Sequence, residues 1–283
     1  MLRAKRTKGI REGVGSRIFD LCNVIITAAV VFVCFYPIWH VLVASFSNGD
    51  ALLAHTGILW SPLDFTLSGY RMVFKDPMIV RGYVNTIFVV GVGTAVSMAV
   101  TVLAAYFLSR KQTPLQKGIM IYIVITMFFS GGIIPFYFTV RGLYNSLWAL
   151  VLPTAINTFN LVIMKTNFAG IPDSLVEAAV IDGAGHFKVL CSVILPLAKP
   201  ILAVISLYYL VGKWNEWFNG MLFLQDREKY PLQLVLRGIL LTNNADAMTS
   251  GVSMGDQEAI GESVKYGVIV VATLPVLCIH PLL

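Results

Sequence analysis

Charge is what this sequence has least of. Asp, Glu, Lys and Arg make up 13% of its 283 residues, about half the share usual in a soluble domain. That is too little to solvate a globule of this length, and 57% of the residues are hydrophobic. Intrinsic disorder needs the opposite balance and is excluded. Cysteine is sparse as well. Cys22, Cys34, Cys191 and Cys278 contain no C-x-x-C pair and no metal-ligand spacing, so a disulfide scaffold and a thiolate metal site are excluded. Nucleotide and hydrolase signatures are missing too: there is no G-x-x-x-x-G-K-[ST], no H-E-x-x-H and no G-x-S-x-G. Gly212-Lys213-Trp214 lacks both the upstream glycine and the hydroxyl of a phosphate loop. The histidines, His40, His55, His186 and His280, are scattered. No catalytic residue, resident cofactor or metal site is read in this chain.

What is present is a set of long runs without charge. A spanning helix needs about 20 apolar residues, because ~30 Å of hydrocarbon is crossed at ~1.5 Å per residue. Residues 21–49, 82–109, 118–140 and 142–164 carry no charged side chain. A fifth run, 200–224, is interrupted only by Lys213 and Glu216, and a sixth covers 266–283. These predict an all-α polytopic membrane protein with six spans at about 18–46, 83–109, 118–140, 143–165, 198–224 and 264–283. The first run is too long for a signal-peptide core and reads as a retained anchor. The sixth stops without a basic flank, so the native chain is expected to continue past Leu283.

The loops give the orientation. With the N-terminus in the cytoplasm, the arm 1–17 and the other inner loops hold twelve Lys and Arg, against eight on the outer side. Acids run the other way, five inside and nine outside. The positive-inside rule then places the arm and the loop 166–197 in the cytoplasm and the acidic loop 225–263 outside. It also accounts for the net charge of +6 without nucleic acid.

The loop 166–197 carries the strongest local signal. Residues 171–185 read IPDSLVEAAVIDGAG. Ser174-x-x-Glu177 has the spacing of a capping box, and Gly183 suits the left-handed position that ends a helix. A two-turn helix over 175–182 is predicted, with Leu175, Ala178, Ala179 and Asp182 on one face. The small alanines would let another backbone approach. The alternative is a capped connector without a partner. Polar residues inside the spans mark pathway candidates: Asn157 and Asn160 in the fourth, and Trp214, Asn215, Glu216 and Asn219 in the fifth. For Trp214, interfacial belt and stacking against a sugar ring both stand open. Helix-to-helix hydrogen bonding is the plainer reading of the asparagines. Lys213 and Glu216 are three residues apart, a spacing at which they could pair. Gly131, Gly132 and Pro135 predict a kinked third span.

Glu177-Ala178-Ala179, three residues, Gly183, nine residues and Val193-Ile194-Leu195-Pro196 follow the pattern E-A-A-x3-G-x9-I-x-L-P, with Val193 the single change. This resembles the signature of ABC-importer permeases, in which the loop is the coupling helix that docks into an ATPase. Residues 83–86 (YVNT), 130–135 (SGGIIP), 142–148 (GLYNSLW), 212–218 (GKWNEWF) and 230–234 (YPLQL) resemble the carbohydrate-uptake branch. The resemblance implies a permease subunit in the inner membrane that imports saccharides, most simply oligosaccharides. It implies a second homologous permease, two cytoplasmic ATPases that bind the ATP and Mg, and an extracytoplasmic solute-binding protein. Coupling would fall to Ser174, Glu177, Ala178, Ala179, Asp182, Gly183 and Pro196. Two alternatives remain: a permease for another solute such as an amino acid or peptide, and an ion-driven carrier using Lys213, Glu216 and His40 as a relay.

Overall fold

A computed structural model describes residues 14–110, 115–129, 131–242 and 254–279. Most of the basic arm, and Asn243, Asn244 and Asp246 of the acidic loop, lie outside the described residues. Within them every regular element is helical: α1 Val14–Ser45, α2 Gly49–Ala54, α3 Ser68–Lys75, α4 Pro77–Ser109, α5 Gln116–Phe128, α6 Ile133–Val140, α7 Trp148–Val151, α8 Thr158–Ala169, α9 Asp173–Ile181, α10 His186–Val189, α11 Leu195–Leu197, α12 Lys199–Trp214, α13 Phe218–Phe223, α14 Leu232–Thr242 and α15 Met254–Ile279.

The spine is α4. It starts cleanly because Asp76 accepts a hydrogen bond from the Met78 amide at 2.8 Å and Pro77 occupies the first turn, where its missing N–H costs nothing. At ~1.5 Å per residue its 33 residues reach ~50 Å. One cluster gathers at the Ser109 end, where Ala105 and Leu108 meet Leu161, Met164, Phe168, Leu190 and Ile194. Another gathers at the Pro77 end, where Ile79 meets Val73, Trp214, Leu232, Val268 and Ala272. Lipid is as apolar as these side chains, so close packing and interhelical hydrogen bonds hold such helices together. Gly69 shows the closeness: a Cβ there would stand 2.7 Å from the Ser263 carbonyl oxygen. α1 packs on α15 near its C-terminal end through Val43, Ala44 and Tyr266, and most of its apolar side chains are exposed.

The helices do not follow the charge-free runs one for one. α1 and α4 are each long and apolar enough to cross a membrane, and the number rises to at most four if each bent pair of helices is one span. The third run breaks between α5 and α6, where Gly132 takes φ +84° and the axis bends by 117°. The fourth run is two helices, α7 and α8, separated at 152–157. The fifth is broken at Asn215–Trp217 and is entered through an 86° bend at Ala198. α15 begins at Met254, well before the expected 264.

Candidate functional site

The loop at the Ser109 end of α4 forms the expected short helix, shifted by one or two residues. α9 runs Asp173–Ile181, with Pro172 in the capping position and no side-chain capping bond. Ser174 therefore lies inside the first turn, and the Ser174–Glu177 capping box is not formed. The extended backbone of Pro172 (φ −54°, ψ 129°) starts the helix first, and its carbonyl accepts from the Leu175 amide at 3.2 Å. The helix ends as expected. Gly183 takes φ +79° and its amide donates to Val180, while the Ala184 amide donates to Ala179. This pair of bonds is a Schellman ending. Val176 and Ala179 face the chain's own core. Ala179 is thus parted from its expected neighbours: Leu175, Glu177, Ala178 and Asp182 are exposed, beside Ile181 at 85% exposure. Beyond α10 the chain makes a π-helical turn over Leu190–Ile194 before Pro196. The proline has no N–H to give to Ser192, and a widened turn removes that demand.

The pathway candidates fall into two groups. Asn160 and Trp214 are buried, and Asn157 is exposed at the start of α8. Asn157 caps α8, its Oδ1 accepting from the Asn160 amide at 3.1 Å, and Asn160 is buried. Trp214 is 4% exposed, packs beside Tyr83 and donates from its indole N–H to the Ala272 carbonyl at 3.1 Å. It is neither an interfacial belt residue nor an open stacking surface, because α15 covers it. Asn215, Glu216 and Asn219 occupy the corner between α12 and α13. Asn215 Nδ2 donates back to the Val211 carbonyl, and both Glu216 oxygens accept from Asn219. Asn219 and Phe218 line an open groove of about 450 Å³ with Gly131, Gly132, Ile133, Pro135, Phe136 and Thr139 of the broken third run.

Lys213 forms no salt bridge with Glu216, although Glu216 is near enough to act on it electrostatically. Its stem crosses Gly93 of α4, where a Cβ would stand 2.6 Å from the lysine Cδ. Its Nζ donates to Thr154 Oγ1 at 3.0 Å. His40 lies elsewhere, against Tyr36 and Tyr266. Lys213, Glu216 and His40 each keep separate partners, so the relay expected of an ion-driven carrier is not assembled.

Several tying residues lie in motifs that the sequence named without a role. Asn85 Nδ2 donates to the Glu228 and Tyr230 carbonyls, and Thr86 Oγ1 accepts from the Leu232 amide at 2.8 Å. Tyr83 donates to the Val271 carbonyl. The 83–86 and 230–234 motifs are thus two halves of one joint. Asn145 sits at φ +57°, a conformation asparagine tolerates. Its Oδ1 accepts from the Gln225 and Asp226 amides and its Nδ2 donates to Asp226. Lys229 donates to the Asn145 carbonyl and to Asp226. Hydrogen bonds from Lys229 and Asn145 hold the Asp226 carboxyl below the usual carboxylate range. Tyr209 bridges Thr101 and the Asn157 amide. An asparagine in a turn was the visible signal for Asn145; Tyr209 offers none.

Residues 94–280 match the family described as binding-protein-dependent transport system inner membrane component. Protein LplC of Bacillus subtilis (strain 168) is 38% identical over 94% of this chain and 90% of that protein. The polygalacturonan/rhamnogalacturonan transport system permease protein YtcP of the same organism is 39% identical over 94% and 93%. Among solved structures, a chain of a bacterial ABC transporter involved in the import of the acidic polysaccharide alginate superposes with a TM-score of 0.88. It is 31% identical and is covered to 98%, against 96% of this chain.

Proposed function

The chain belongs to the binding-protein-dependent transport system inner membrane component family, and from that premise we propose that it is a permease subunit of an ATP-driven saccharide importer. The relatives' named cargoes, polygalacturonan or rhamnogalacturonan and alginate, support a saccharide as the solute. One observation carries the coupling role. α9 ends on Gly183 in a Schellman turn and keeps Leu175, Ala178, Ile181 and Asp182 exposed. A small-residue helix held out from the core in this way offers a seat to a second protein.

In this reading two ATPases dock on the α9 faces of this chain and of a second homologous permease. A solute-binding protein delivers saccharide at the Pro77 end. The chain crosses the membrane six times, counting the broken runs as spans, with its N-terminal arm in the cytoplasm. Ser174, Glu177 and Asp182 lie at the seat, while Gly183 and Pro196 shape its ends. Solute passes the α12–α13 corner at Asn215, Glu216 and Asn219, beside the groove.

Transport turns on that division. Nucleotide-driven movement at α9 reaches α12 through the Leu190–Ile194 turn and the bend at Ala198. α12 in turn carries the corner past α6. The test is uptake into vesicles holding the full complex. Uptake is expected to follow internal ATP and to survive collapse of proton and sodium gradients. A cysteine placed at Ala178 is expected to crosslink to the ATPase. Uptake that follows an ion gradient would overturn the reading.

A further inference from the structure

Two cations flank the α12–α13 corner, and among the described residues neither has a carboxylate within salt-bridge distance. Lys213 is 5% exposed, and its ammonium donates to the Thr154 hydroxyl. Arg237 of α14 places its guanidinium carbon 4.3 Å from the centroid of the Trp217 ring, and its Nη1 donates to Met221 Sδ. Glu216, the acid closest in sequence, gives both of its oxygens to Asn219. Elsewhere on this end, Arg81 is paired with Glu228 and Lys229 with Asp226. Lys213 is held away from bulk water, where an ionised group acts more strongly on its surroundings and calls for a partner, whereas Arg237 is half-buried and open to the solvent side.

The cation is joined to the groove by a strip of aromatic surface. The Trp217 ring carries Arg237 on one side and meets the Phe218 ring edge-on, at 5.6 Å and 87°. Phe218 and Asn219 line the groove. A guanidinium stacked on tryptophan still presents N–H donors at its edge, and beyond the weak bond from Nη1 to the Met221 sulfur that edge suits a planar acceptor such as a carboxylate. Aromatic faces offer flat apolar area to a sugar ring.

We propose that Arg237, held by Trp217, is a specificity-determining contact for a carboxylate-bearing saccharide, a uronate unit, passing the α13 corner. This rests on the importer reading above and adds the chemistry of the solute to it. The test uses the full complex in liposomes, with one binding protein whose own affinities are measured separately. Uptake of an oligogalacturonate is compared with uptake of its methyl ester, which keeps the rings and removes the charge.

The wild type is expected to favour the acid. Arg237→Gln is expected to lower uptake of the acid about tenfold, the size of one lost charge-assisted contact, and to leave the ester within about twofold. Arg237→Lys, which keeps the charge and loses the fork, is expected to fall between them. Should the glutamine complex fail to assemble, the lysine complex decides, by a raised KM for the acid alone. Equal effects on acid and ester, or none, would overturn the proposal. A wild type that imports the ester and refuses the acid would overturn it too, while leaving the importer reading intact. If no saccharide accelerates ATP hydrolysis, the importer reading fails and the proposal falls with it.

Discussion

At the Pro77 end of α4, Asn85 and Thr86 fasten the 228–232 segment, Tyr83 fastens α15, and Asn145 gathers 225–229 into a knot. At the Ser109 end, α9 leans on the core through Val176 and Ala179 and leaves Leu175, Ala178 and Ile181 exposed. The first end satisfies its polar groups from within the chain, over separations of up to 188 residues. The second spends its local hydrogen bonds on a well-finished helix and little on holding that helix down. A surface that must receive another protein is better left unfilled, whereas the mouth of a pathway must keep its own shape. Stability should therefore concentrate at one end and coupling at the other.

Removing Trp214 tests the first half of that contrast and should have the largest effect. Trp214→Ala empties a buried aromatic site, at a cost of ~3–5 kcal/mol, and frees the Ala272 carbonyl. Thermal unfolding in detergent should drop by several degrees, and uptake per assembled complex should change far less than the yield of complex. A variant of normal stability with altered solute KM would return Trp214 to the pathway.

Gly183→Val tests the second half. A β-branched residue at φ +79° carries ~1–3 kcal/mol of strain, while nothing lies within 4 Å of an added Cβ. The spans should keep their melting temperature. ATPase copurification and uptake should fall together, by roughly 5- to 150-fold. Full association with full uptake would make α9 a mere connector.

Acid should loosen only the Pro77 end. Lys229 and Asn145 hold the Asp226 carboxyl below its ordinary value, so its contribution is complete above about pH 4 and is lost as pH falls through the lower folded value. Amide exchange at Gln225 and Asp226 should accelerate over that range, with α9 unchanged. Asp226→Asn should abolish the pH dependence. Finally, Ser174→Ala should be almost silent, within ~0.5 kcal/mol, because no side-chain bond caps α9. A loss near ~1 kcal/mol would restore the capping box.

What the sequence made legible follows the same divide. The end of α9 could be read because a glycine after a helical run has a local cause, the left-handed turn. The beginning was misplaced because two local signals compete there, and the extended backbone of Pro172 outweighs the serine. At the other end the causes are remote. Trp214 is buried by a carbonyl 58 residues away. Thr86 matters because Leu232 folds back on it. The motifs at 83–86 and 230–234 were visible as words, but their joint meaning needed the fold. The all-helical membrane class was written in the charge-free runs and the break at Gly132 in Gly131, Gly132 and Pro135, whereas the breaks at 152–157 and Asn215–Trp217 leave hydropathy nearly unmarked.

The contact between Gly93 and Lys213 has a bearing on inheritance. With a Cβ at 93 falling 2.6 Å from the lysine Cδ, the Lys213 stem must move aside before residue 93 can grow. Gly93→Ala in the natural background should be defective, and shortening residue 213 should rescue it. A lineage could then enlarge residue 93 only after, or together with, a change at 213. Chimaeras that splice α4 from one permease onto α12 of another would fail or succeed on that pair before any question of solute arises.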